Sequence, residues 1–273
     1  MQPILDLLDA YRHAFMVRAT LAALLVAVTC SVISFFVVMR RMAFIGAGIS
    51  HIAFGGVALA LLLGLPVGAG AIVFGVGAAL ILGEKTARRT ISEDTLIGIL
   101  FATAMAFGVI FAQYGGASRV DLTTFLFGNV LTVSDGELIG IAVLGIAVVA
   151  ILAGLFPALL FASYDEDAAA VSGLPVDRLH RVLLVLIAFT VVMSIRAVGL
   201  LLVAALLVIP GAVALLFPRS LRAYFAISLA VGVASTVGGM VVSYYIDKPT
   251  GAVTVLFASV ILAVAFFLRP RHA

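Results

Sequence analysis

VLLVLIAFTVVMSIRAVGLLLVAALLVIPGAVALLF, residues 182–217, is apolar for 36 residues and is broken by Ser194, Arg196 and a few small residues. One helix needs only about 20 residues to cross a hydrocarbon core of roughly 30 Å. The stretch is therefore read as two passes that turn near Arg196. The composition agrees: 64% of the 273 residues are hydrophobic and 11% are charged, with a mean hydropathy of +1.32. A water-soluble domain of this length needs far more polar side chains on its surface. Long apolar runs suit helices, which satisfy their own backbone groups within lipid, and the short alternating segments of an outer-membrane barrel are missing. The fold class is all-α, a polytopic membrane helix bundle.

Outward from that stretch, the same punctuation divides the rest of the chain. A run over 14–39, interrupted by Arg18, stops at Arg40-Arg41. It is longer than the apolar core of a signal peptide, and no small-residue cleavage site follows. Further runs cover 42–63, 67–83, 95–113, 137–162, 223–246 and 251–268. Residues 114–136 are glycine-rich and mixed, a loop with a short interfacial helix. The count is nine crossings, or eight if the short piece before Arg196 is re-entrant. All of them belong to a single transmembrane domain, residues 1–273, with polar turns at 84–94 (EKTARRTISED) and 163–181.

Charge tests this count. With the N-terminus outside, one side collects Arg40, Arg41, Lys85, Arg88, Arg89, Arg178, Arg181, Arg219, Arg222, Arg269 and Arg271, and the other keeps Arg12, Arg18, Arg119, Arg196 and Lys248. Eleven against five is a positive-inside bias that places the first side, with the C-terminus, in the cytoplasm. Basic residues at segment ends are membrane topology, and no nucleic-acid partner is expected. The single cysteine, Cys30, lies inside an apolar run, so neither a disulfide framework nor a CxxC metal site is available.

Both polar turns carry helix-start patterns. Ser163-Tyr164-Asp165-Glu166 has the S-x-x-E form of a capping box, with Asp165, Glu166 and Asp167 in a first turn that favours negative charge. Ala168, Ala169, Ala170 and Val171 continue the helix, and Gly173 before Leu174-Pro175 ends it after roughly three turns. Such a helix is either an ordinary connection or a docking element for a cytoplasmic partner. Thr90-Ile91-Ser92-Glu93 repeats the pattern just before Asp94.

His51 is the one imidazole placed near the middle of an apolar span, ten residues beyond Arg41 and about 15 Å along the helix. Ala47, Gly48, Gly55 and Ala58 share its face, so that face either admits a close neighbouring helix or leaves a groove around the ring. Two readings stay open: a neutral histidine bonded to a neighbouring helix, or a transient ligand for a divalent cation, with Ser50 in support. Pro210-Gly211 reads as hinge geometry, Ser194 and Arg196 as a surface turn or an outer gate, and residues 247–251 as a tight external turn in which Asp247 is exposed.

Several segments together resemble the permease family of metal-ion ABC importers: FASYDEDAAAVSGLPVDRL, RRMAFIGAGISHIAFGGVALALLLG, RRTISEDTLIGILFA, LTTFLFGNVL, VGLLLVAALLVIPGAVA and YYIDKPTGAVTVLFA. The resemblance covers most of the chain. It implies a permease in a bacterial or archaeal cytoplasmic membrane, bathed in lipid and paired with a second permease copy as a homodimer. Cytoplasmic ATPase subunits use the ATP, and an extracytoplasmic binding protein delivers zinc, manganese or iron(II), the transported substrate, with no cofactor held permanently. Asp165 to Val171 with Gly173 become the short cytoplasmic coupling helix to the ATPase, and Ser92, Glu93 and Asp94 a second cytoplasmic contact. His51 becomes a pathway ligand, and Asp247 a contact for the delivering protein. In many members an aspartate stands four residues before the histidine; here that position is Ala47. No GxxxxGK[ST] loop occurs, so an enzyme that hydrolyses ATP through a P-loop is not this chain. A permease for a metal chelate or vitamin is the neighbouring reading. A secondary ion transporter fits less well, because no Asp or Glu lies in the middle of a span.

Overall fold

In the computed structural model, residues 14–87, 92–114, 128, 133–217 and 220–269 are described, and every regular element among them is helical. In chain order the helices are α1 (Ala14–Met39), α2 (Ile45–Leu62), α3 (Val67–Ala87), α4 (Glu93–Tyr114), α5 (Asp135–Tyr164), α6 (Glu166–Val171), α7 (Val176–Val198), α8 (Leu200–Leu206), α9 (Ile209–Leu215), α10 (Leu221–Ile246) and α11 (Thr250–Leu268). Eight of them are long and apolar enough to cross a membrane, all except α6, α8 and α9. The interfacial helix expected within 114–136 falls largely outside the described residues, as do Thr90 and Ile91.

The break expected near Arg196 falls three residues after it, at Gly199. α7 runs through Ser194 and Arg196 to Val198, and the chain breaks at Gly199, whose φ is +82°. A basic side chain in the last turn suits the negative end of the helix dipole, so Arg196 ends the helix without breaking it, and only glycine enters the positive-φ region without strain. The short pieces therefore come after Arg196, not before it. α8 and α9 have seven residues each, and Pro210 sits in the first turn of α9, where its missing N–H is not needed. At 1.5 Å per residue the whole of 200–215 spans roughly 24 Å.

Four helix ends are made by one device. After α1, Arg41 takes φ +58°, Met42 N–H donates to the Val37 carbonyl at 2.8 Å and Arg41 N–H to that of Val38 at 3.1 Å. This is a Schellman turn, built on arginine instead of glycine. Gly64 after α2, Gly173 after α6 and Asp247 after α10 repeat the left-handed step, with the six-residue closure at Leu65, Leu174 and Lys248.

Two compact units are distinguished. The first combines Met1–Val32, Thr123–Ile146 and Met193–Ala273; the second combines Ile33–Leu122 and Ala147–Val192. In the second, small residues bring α2 against its neighbours. A Cβ on Gly55 would lie 2.7 Å from the Ala104 carbonyl oxygen of α4, and one on Gly56 would strike the Gly70 carbonyl of α3. Ile52, Ala78 and Ala104 form a core there with Phe74 and Leu100 packed against it. In the first unit α10 turns Ser228, Gly232, Ser235, Thr236, Gly239 and Ser243 inward. Ser228 Oγ donates to the Ser31 carbonyl at 2.9 Å and the Tyr224 hydroxyl to the Gly211 carbonyl at 3.0 Å. Cys30 is completely buried in α1. Ile99, Phe107, Val143, Ile146, Leu256 and Val260 are exposed, as apolar residues facing lipid would be.

Candidate transport site and coupling surface

His51 lies on the second turn of α2, half-buried, with its ring edge-on to Phe101 of α4 at 4.6 Å between centroids and 85° between planes. Of its small-residue face, Gly48 packs on Ile97 and Gly55 on Ala104, so the close-helix reading describes these two positions. Ala47, one turn earlier, is partly exposed. Ser50 is fully buried and its hydroxyl donates to the Gly46 carbonyl at 2.7 Å, committed to its own helix. Among the described residues no group of three or more His, Cys, Asp and Glu is placed to hold a metal ion. The environment of His51 is thus unlike a closed structural metal site, which needs about four protein ligands.

α6 is a helix of six residues, shorter than the three turns expected, and its cap is not the expected box. α5 continues through Tyr164, so Ser163 sits in its last turn and bonds the Leu159 carbonyl at 2.6 Å. Asp165 is the first residue free of that helix; it is extended, and its carboxylate accepts from Ala168 N–H at 2.8 Å. Asp165, Glu166, Asp167, Ala170 and Val171 are exposed, while Ala169 is fully buried and Ala168 partly so. Gly173 closes the element at φ +86°.

Ser92 caps α4, accepting from Thr95 N–H at 3.3 Å. Asp94 is exposed, but Glu93 turns inward, with 19% of its side chain exposed. It faces a residue that the sequence did not single out, His180 of α7, at 3.8 Å. His180 Nδ1 lies 2.9 Å from Arg40 Nη1, and Arg40 Nε donates to Ser163 Oγ at 2.9 Å. Burial pulls the Arg40 guanidinium's pKa down, and the Glu166 and Glu93 carboxylates push it back up. In the sequence Arg40 carries only a topological signal, and nothing but a polar side chain at the start of an apolar helix marks His180.

Ser194 is buried within α7, and Arg196 is exposed, with Nη2 3.0 Å from Glu137 Oε1 at the start of α5. Beside it Arg18 Nη1 meets Asp135 Oδ1 at 3.0 Å. Ser134 and Glu137 form a reciprocal capping box, Ser134 N–H to Glu137 Oε2 at 3.1 Å and Glu137 N–H to Ser134 Oγ at 3.3 Å. Its S-x-x-E spelling was readable in the sequence. Asp247 is exposed in the turn between α10 and α11, which Ser243 Oγ closes by donating to the Lys248 carbonyl at 2.6 Å.

Residues 12–269 match the ABC 3 transport family. The chain is 36% identical over 260 residues to the manganese transport system membrane protein MntC of Halalkalibacterium halodurans, covering 95% of this chain and 89% of that protein. It is 35% identical over 260 residues to a probable iron transport system membrane protein of Haemophilus influenzae, covering 95% of each. Among solved structures it resembles PsaBC from Streptococcus pneumoniae in complex with Fab, with a TM-score of 0.86 at 32% identity over 98% of this chain and 97% of that one. A match over nearly its whole length, on a bundle with eight membrane-length helices, places the chain in the ABC 3 transport family: it is a multi-pass membrane permease subunit of the metal-ion ABC importer type.

Proposed function

We propose that this chain conducts a divalent metal ion, manganese or iron(II), from an extracytoplasmic binding protein into the cytoplasm, driven by ATP hydrolysis in separate ATPase subunits. The observation that carries this reading is the likeness along almost the whole chain to permeases named for manganese and iron. His51 is the pathway ligand in this reading. A neutral imidazole with few fixed partners holds such a cation weakly and releases it again, as a conduit must. Ala47 removes the carboxylate that many members place one turn earlier, so backbone carbonyls, water or the His51 of a second permease copy complete the coordination.

The exposed face of α6, with Ala170 and Val171, is the contact for the ATPase, and Ser92 and Asp94 lie on a second cytoplasmic surface. Asp247 and its turn face the binding protein, and Gly199 with Pro210-Gly211 supplies the hinge. The test is radiolabelled manganese uptake by proteoliposomes holding the permease, its ATPase and its binding protein, with iron(II) and zinc as competitors. His51→Ala is expected to lower uptake at least about tenfold, the low end of what changing a metal's surroundings costs. Undiminished uptake in that variant would remove His51 from the pathway.

A further inference from the structure

The two roots of the α6 connection stand on one guanidinium. Ser163, in the last turn of α5, and His180, in the second turn of α7, bracket α6, and Arg40 bonds both at 2.9 Å. Arginine has donors only, so His180 Nδ1 must accept, which leaves the imidazole neutral with its proton on Nε2. Nε2 faces Glu93 Oε1 at 3.8 Å, across from the start of α4. Among the described residues Nε2, Oε1 and Arg40 Nη2 make no hydrogen bond although all three are buried. The His180–Glu93 link therefore needs less than about 1 Å of movement to reach bonding distance, so a small shift of α7 makes or breaks a bond.

Arg40 is also joined to His51 through the backbone. It is the residue after α1, in the Schellman turn closed by Met42 N–H on Val37, and Ile45 N–H donates back to the Met42 carbonyl at 3.0 Å where α2 begins. Five residues, 40–44, separate α1 from the helix that carries His51. A displaced α6 segment pulls on Arg40 from two sides, and the closed turn passes that pull to α2. Long, flexible side chains seldom hold such a junction, but a planar fork bonded at two of its nitrogens does.

We propose that Arg40 is a positioning residue for energy coupling, the joint through which motion of the α6 segment reaches the His51 helix. The proposal rests on α6 being the ATPase contact. It is tested on the whole transporter in proteoliposomes, reading both ATP hydrolysis and manganese moved per ATP. In Arg40→Gln and His180→Leu the manganese moved per ATP is expected to fall roughly tenfold, the size of a typical coupling free energy, while hydrolysis continues. His180→Asn, whose amide oxygen takes the place of Nδ1, is expected to keep the wild-type ratio, a rescue that a packing role alone would not give.

A wild-type ratio in Arg40→Gln overturns the proposal. If Arg40→Gln does not assemble, equal ratios in His180→Leu and His180→Asn overturn it instead. Val171→Asp on the exposed face of α6 separates the two levels. If that variant releases the ATPase while Arg40→Gln stays coupled, only the joint is lost; if it leaves assembly and hydrolysis untouched, the coupling surface and the joint fall together.

Discussion

Ser134-Asp135-Gly136-Glu137 and Ser163-Tyr164-Asp165-Glu166 carry the same S-x-x-E pattern, and they do different things. The first closes a reciprocal capping box at the start of α5. In the second, the serine belongs to the preceding helix and the aspartate takes over the cap. What differs is the chain before the serine. A helix that is still running turns the Ser163 hydroxyl back onto its own carbonyls, and the released capacity of that oxygen is used by Arg40. A capping motif is thus a competition between two helices for one residue, and the serine that does not cap is the one Arg40 holds.

The largest effect that would break this contrast comes from Arg40→Ala. It removes two charge-assisted hydrogen bonds from a mostly buried group and leaves His180 Nδ1 without its donor and Glu93 without its nearby cation, costing about 3 kcal/mol. The measurement is the unfolding midpoint in detergent, and a shift no larger than that of Arg196→Ala would place both arginines in the same class. Asp165→Ala comes next: loss of the real cap costs α6 about 1 kcal/mol. It should appear as faster amide exchange at Ala168 to Ser172 with little change in the global midpoint.

Glu137→Ala dissolves both half the box and the Arg196 contact. Because that ion pair is exposed, the loss is about 0.5–1 kcal/mol and shrinks in high salt. Glu166→Ala sits at the matching place in the second pattern and should change the α6 exchange rates by no more than a few tenths of a kcal/mol. Equal protection losses in the two glutamate variants would mean that a second box does form.

Hydropathy and charge located most of the helices, because an apolar run of the right length has few other uses. The 95–113 run became Glu93–Tyr114 and the 42–63 run became Ile45–Leu62, differences of a few residues at frayed or capped ends. The same reasoning put the break in 182–217 three residues early. A charge inside an apolar run looks like a membrane surface, whereas the bend depends on backbone freedom, which Gly199 has and Arg196 lacks. At the site, His51 was legible as a lone polar group among small residues, but its contact with Phe101 was not. Arg40 was read as a topological marker because its partners lie 123 and 140 positions away, and no local period or spacing carries such a contact.

Cys30 is the chain's one thiol and has no exposed surface. While α1 stays packed, a maleimide cannot reach it, so its rate of labelling is a clock for the opening of the surrounding bundle. The same silence makes the wild-type chain a dark background for spectroscopy. A single cysteine introduced on α6 or beside Arg40 would carry a spin label or fluorophore whose signal belongs to that position alone.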